Sequence, residues 1–218
     1  MAGNLTDIVF SVHGENGTEE ITSRQLDQFA ALYRIDRLIN GRYSHLLLLD
    51  LYLSEKHNGL SPELVVQEIN ALESGSHSYM KPPTKFHRKP LRGLWHKHFL
   101  LVTPSSMAQN ILNELGKNGT KQAAEAAFSS DKGDKITADM ISDFVSRIVE
   151  EPFSKRSEQA KLTGEWLIYA EHDGQKYYLC LSNHKHAQDR SDEHVANRLK
   201  DVCCREFDWL NSILHSQS

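Results

Sequence analysis

Two His-Lys-His tripeptides are the residues of this chain best suited by type and spacing to do chemistry. They are His96-Lys97-His98 and His184-Lys185-His186. In extended backbone, residues two apart point the same way, so each tripeptide presents a pair of imidazoles to one side. An imidazole titrates near neutral pH and can both take and give a proton. The first pair ends a basic stretch in which Lys81, Lys85, Arg88, Lys89, Arg92 and Lys97 occur with no acid anywhere from Ser74 to Asn113. Cations beside proton-transfer groups suit phosphodiester cleavage. A base removes the proton of a ribose 2′-hydroxyl, an acid protonates the leaving oxygen, and cations hold the charge that collects on the phosphoryl oxygens. On this reading His96 and His98 are proton-transfer groups, with Tyr178 or His184 as partner. Lys85, Arg88, Lys89, Arg92 and Lys97 hold phosphate, and Tyr169 and Lys176 complete the substrate surface. No cofactor is required.

Each of these residues also has a plainer reading. His96 and His98 can be packed histidines beside Trp95 and Phe99, and Tyr169 and Tyr178 can be a cross-strand aromatic pair that touches no ligand. Paired histidines with a carboxylate such as Asp189 could instead hold zinc or iron, which would make the chain a metal-dependent hydrolase. A lysine between the ligands opposes that, because an ammonium next to the site weakens cation binding. Asp131, Gly133 and Asp134 lack the spacing and the last ligand of a calcium loop. There is no phosphate-cradling glycine loop, nucleophile elbow or cysteine pair at zinc-finger spacing.

Several elements must position these groups. Residues 7–13 alternate like a strand. One helix is expected over 24–40, a second over 43–56 and a third after Ser61-Pro62, which supplies a cap and a proline at the first helical position. Residues 1–75 thus read as an acidic helical bundle. Residues 76–218 read as an α+β unit that carries the basic segment and a hairpin. Pro90 keeps its surroundings out of helix, and residues 91–101 read as extended. Helices are expected from Thr103-Pro104 to Gly116, over 121–128, and from Thr137 to Pro152 with Met140, Ile141, Phe144, Val145 and Ile148 inward. Asp173-Gly174 joins two β-rich runs through a type I′ turn, which sets Ile168 against Leu179 and Tyr169 against Tyr178. One hairpin face then collects Trp166, Ile168, Ala170, Tyr177, Leu179 and Leu181 as core. The other collects Tyr169, Tyr178, Glu171, Lys176 and Cys180 and is expected to lie open. Further helices are expected from Asp192 and from Glu206 to His215.

Composition sets outer bounds. The chain has 218 residues and a formal net charge of -4, divided as -6 over residues 1–73, +6 over 74–113 and -4 over 114–218. Such blocks suggest RNA or another polyanion as partner of the basic stretch, and a protein partner for the acidic lobe. No run approaches the roughly 18–20 apolar residues that cross a bilayer, and the N-terminus lacks an export signal, so a cytoplasmic protein that does not engage membranes is expected. Three cysteines, two of them adjacent, fit free thiols in a reducing compartment.

A helical segment followed by His96-Lys97-His98, another helix and the hairpin GEWLIYAEHDGQKYYLCL resembles the small toxin-like ribonucleases of the barnase, EndoU, colicin and RelE superfamily, over roughly residues 85–210. The resemblance implies a metal-independent ribonuclease with helices packed on an antiparallel sheet, of the kind used in bacterial conflict and antiviral defence. It favours His96, Lys97, His98 and the outer face of the hairpin as the site. The rival from another class is a non-catalytic binding, immunity or antiphage factor in which the basic stretch only docks its partner.

Overall fold

The computed structural model describes residues 8–14, 17–100, 104–129, 136–159, 161–162, 165–182 and 191–215. The fold is α+β, with helices packed on small antiparallel sheets. Two compact units divide the chain: Met1–Ser76 with Pro83–Phe99 and Glu165–Ser218, and His77–Pro82 with Leu100–Gly164. Where the sequence suggests one boundary near residue 75, the chain instead leaves the first unit and re-enters it.

In the first unit, β1 (Val9–Gly14) pairs antiparallel with β2 (Gly17–Thr22). The strand β2 is not expected from sequence, since its run GTEEIT is mostly polar and buries only Ile21. Thr22 then opens α1 (Ser23–Leu32) with a capping box, its hydroxyl accepting from the Gln25 N–H while the Gln25 side chain accepts from the Thr22 N–H. The single helix expected over 24–40 is broken at Tyr33-Arg34. Arg34 adopts a left-handed φ of 57°, which ends the helical path, and α2 (Ile35–Ile39) starts after it. Ser44 caps α3 (His45–Asn58) by accepting from the Leu47 N–H, and Pro62 opens α4 (Pro62–Ser74), as the sequence indicates.

The main sheet has the order β3 (Thr84–Lys85), β4 (Trp95–Phe99), β5 (Glu165–His172), β6 (Gln175–Ser182), all antiparallel. Phe99 at the end of β4 pairs with Glu165 at the start of β5. Asp173 (φ 50°) and Gly174 (φ 73°) form the expected tight turn between β5 and β6. The expected pairs from Tyr169–Tyr178 to His172–Gln175 form. Beyond them a bulge intervenes between Ile168 and Tyr169, so Ile168 faces Cys180 and not Leu179. The extra residue reverses the side assignment of the remainder of β6. Cys180 moves to the face of Ile168, and Leu181 moves to the face of Leu167.

Both faces of this sheet are covered. Ile168, Ala170 and Cys180 lie in a core with Val195, Leu199, Cys203, Leu210 and Leu214 from the C-terminal helices. Those helices are α9 (Ser191–Arg198), which runs on through a π-helical turn over Leu199–Cys203, then α10 (Cys204–Glu206) and α11 (Leu210–His215). Residues Phe207 to Trp209 are therefore a joint and not the first turn of the last helix. The opposite face lies against α4, and the chain entering α3 runs along the free edge of β6. There the Tyr178 N–H donates to the Arg42 carbonyl, and the Ser44 N–H donates to the Tyr178 carbonyl.

The second unit is helical: α5 (Pro104–Leu115), α6 (Gly119–Ala127), α7 (Ala138–Val145) and α8 (Glu151–Glu158). Lys155 of α8 pairs with Glu114 of α5 at 2.6 Å. Pro152 does not end a helix as expected. A π-helical turn over Ser146–Glu150 carries α7 into α8, so the helical path runs on through Pro152 with the wider turn immediately before it. Met140 is buried, but Ile141 (51% exposed) and Val145 (43%) face outward, contrary to their expected place in the core. Among the described residues no helix is long and apolar enough to cross a membrane.

Candidate nucleic-acid interface

The basic stretch becomes a looped knuckle at the end of β3 and β4. Lys85 pairs with Trp95, and the ladder continues past the strand ends. The Phe86 N–H donates to the Leu94 carbonyl at 2.8 Å, and the Gly93 N–H donates to the Phe86 carbonyl at 3.1 Å. Leu91 and Leu94 are fully buried and pin the loop to the core. Gly93 has φ 93°, and a Cβ there would stand 3.3 Å from the Ile213 side chain, so both conformation and space ask for glycine. Held this way, Lys85, His87, Arg88, Lys89 and Arg92 are all exposed. Among the described residues Lys85, Arg88 and Lys89 have no carboxylate at ion-pair distance. Lys85 lies over the half-buried Trp95, its Nζ 5.4 Å from the ring centroid.

The remaining expected site residues do not join this loop in one cleft. His96 and His98 share one face of β4, with ring centroids 5.6 Å apart, and pack against Trp166; His96 also touches Phe86. Lys97 points to the opposite face, as alternation requires. It is 3% exposed, and its Nζ lies 3.2 Å from Glu68 of α4. Burial holds the Lys97 ammonium below the usual lysine range, against the pull of Glu68. Tyr169 and Tyr178 share that face and are 1% and 0% exposed. Their rings are 5.8 Å apart, the cross-strand pair that was the plainer reading, and Trp95 stacks on Tyr169.

The hairpin face expected to lie open is therefore a floor beneath α4. Tyr178 donates to Glu73 at 2.7 Å, and Lys176 donates to the Leu72 carbonyl at 3.0 Å. Burial, together with the bond to Glu73, raises the Tyr178 phenol far above its ordinary value. Arg42 grips Glu73 with both terminal nitrogens, at 3.1 and 2.5 Å, and also donates to the Lys176 carbonyl. Burial pushes the Glu73 carboxyl up, but the bonds from Arg42 and Tyr178 hold it below the carboxylate range. Tyr178 and Tyr169 are thus structural in this arrangement, with Lys97 and Lys176 tied to α4. His98 is 7% exposed. His184, with Lys185, His186 and Asp189, lies outside the described residues.

Sequence reasoning passed over the polar network around α3. His45 lies between Glu206 (3.0 Å) and Asp27 (3.3 Å), and Arg198 pairs with Asp50, which also accepts from the Leu181 N–H. The bond to Glu206 raises the His45 imidazole above its usual value, with burial opposing. Asp50 was visible only as an interruption in a leucine run, and nothing local reveals its partner far along the chain. Among the described residues no three His, Cys, Asp or Glu side chains are grouped to hold a metal ion. The cysteines Cys180, Cys203 and Cys204 are free and buried, and burial raises each thiol. Comparison with protein-family models, with curated proteins and with solved structures returns no match.

Proposed function

We propose that the protein binds single-stranded RNA through the β3–β4 loop, with Arg88, Lys89 and Arg92 on phosphates and Lys85 leaving the ring of Trp95 for a phosphate, so that a base takes its place there. The observation that carries this is the anchoring. A cationic loop pinned by Leu91, Leu94 and Gly93 offers its charges with little ordering left to do on binding. Cations alternating with an aromatic ring match the way unpaired strands are held, by backbone charge and base stacking. Docking is favoured over cleavage because Tyr178 and Lys97 are sealed away and His98 is nearly so.

The test is fluorescence anisotropy with a labelled oligouridylate across a salt series. With about four phosphates neutralised on a single strand, affinity falls roughly 50-fold between about 50 and 200 mM salt. An Arg88→Glu/Lys89→Glu variant abolishes binding at the upper end of that range. Binding that ignores salt, or survives the double variant, overturns the proposal. The same mixture kept in EDTA reads cleavage. Docking predicts intact RNA, whereas products that disappear in a His96→Ala variant would restore the ribonuclease reading.

A further inference from the structure

We propose a second, separate binding site in the first unit, a hollow between α2 and α4 that takes a short acidic peptide with an aliphatic side chain next to its carboxylate. The hollow has a volume of about 410 Å³ and is lined by Tyr33, Arg34, Arg37, Leu38, Val66, Gln67 and Asn70. The left-handed turn at Arg34 creates it, since a continuous helix would carry Arg37 and Leu38 elsewhere. Residues 1–73 hold eleven acids against five bases, yet two of those five, Arg34 and Arg37, meet here. Among the described residues neither guanidinium has a carboxylate at ion-pair distance. The acids around it, Glu55, Asp36 and Glu63, accept from the hydroxyls of Tyr33, Tyr43 and Ser61 and keep their charge, but none of them pairs with either guanidinium.

The lining selects the occupant. Guanidinium groups pair with carboxylates in a planar fork. Leu38 and Val66 supply an apolar floor, and the Gln67 and Asn70 amides, exposed on one side of α4, can each donate to and accept from a peptide backbone. A nucleic acid fits poorly, because its phosphates would continue past the two arginines toward Glu55 and Glu63, whose charges already act on Tyr33 at the hollow.

The experiment uses the full chain and a fluorescent pool of pentapeptides with Asp or Glu at two positions and Leu, Ile, Val or Phe at the rest. Saturable binding is expected. It weakens about tenfold in Arg34→Gln, about tenfold in Arg37→Gln, and strongly when the acids of the peptides become amides. Val66→Asp abolishes it. Both arginines are exposed, so these variants keep their fold, which circular dichroism checks. No binder in the pool, or binding indifferent to both arginines, overturns the proposal. Loss of oligouridylate binding in the same variants also overturns it, by making the occupant a nucleic acid. Arg88→Glu/Lys89→Glu leaves peptide binding unchanged, so this site and the RNA-binding loop fail or stand independently.

Discussion

Replacing Tyr178 with phenylalanine separates a structural tyrosine from a chemical one. The ring is fully buried and its hydroxyl donates to a carboxylate that Arg42 also holds. A hydrogen bond to a charged group contributes about 1.5–3 kcal/mol. Glu73 keeps Arg42 and is 21% exposed, so water can reach it, and the lower part of that range applies, about 1.5–2 kcal/mol. With a urea dependence near 2 kcal/mol/M, the unfolding midpoint of Tyr178→Phe falls by about 0.8–1 M. The thermal midpoint falls by about 3–8 °C. Tryptophan fluorescence is the right assay, because Trp95, Trp166 and Trp209 all belong to the first unit, where Tyr178 sits. A Tyr178→Phe chain with an unmoved midpoint that has lost an RNA-processing activity would refute this reasoning and return Tyr178 to the proton-transfer role.

Two further outcomes follow from the buried charges. Glu68→Ala leaves the Lys97 ammonium without its carboxylate in a sealed site and costs about 3–5 kcal/mol, while Lys97→Met/Glu68→Leu recovers most of that loss, both read by urea titration. His45 has a folded pKa raised above its unfolded value of about 6.5, so its contribution is complete below that pH and is lost as pH rises through the folded value. The stability difference between the parent and His45→Gln should therefore shrink from about pH 6 to pH 9; a difference that grows with pH would mean that Glu206 and Asp27 do not hold the imidazolium.

What could be read in advance was what local chemistry determines. Asp173-Gly174 placed the hairpin because few residue pairs accept two positive φ angles, and Ser61-Pro62 marked a helix start through its cap and its fixed φ. The cationic loop was visible as a charge pattern, and Lys85, Arg88, Lys89 and Arg92 are exposed as a binding surface requires. Lys97 belongs to the same pattern but to a strand face, and a count of charges does not register alternation. The bulge between Ile168 and Tyr169 and the break at Arg34 have no local signature, since ordinary strand formers surround the one and ordinary helix formers the other. Which hairpin face would be covered depended on α4, a helix from about a hundred residues earlier in the chain. Such long-range packing has no trace in the strand it covers.

The adjacency of Phe99 and Glu165 bears on how this architecture could arise and be altered. The ladder releases the polypeptide at one rung and recovers it at the same rung on the neighbouring strand. A tight turn would serve that junction equally well, so residues 100–164 occupy a position where insertions are tolerated without any rung being lost. Excising them and splicing in a short turn is thus a compact way to ask which properties belong to the sheet alone.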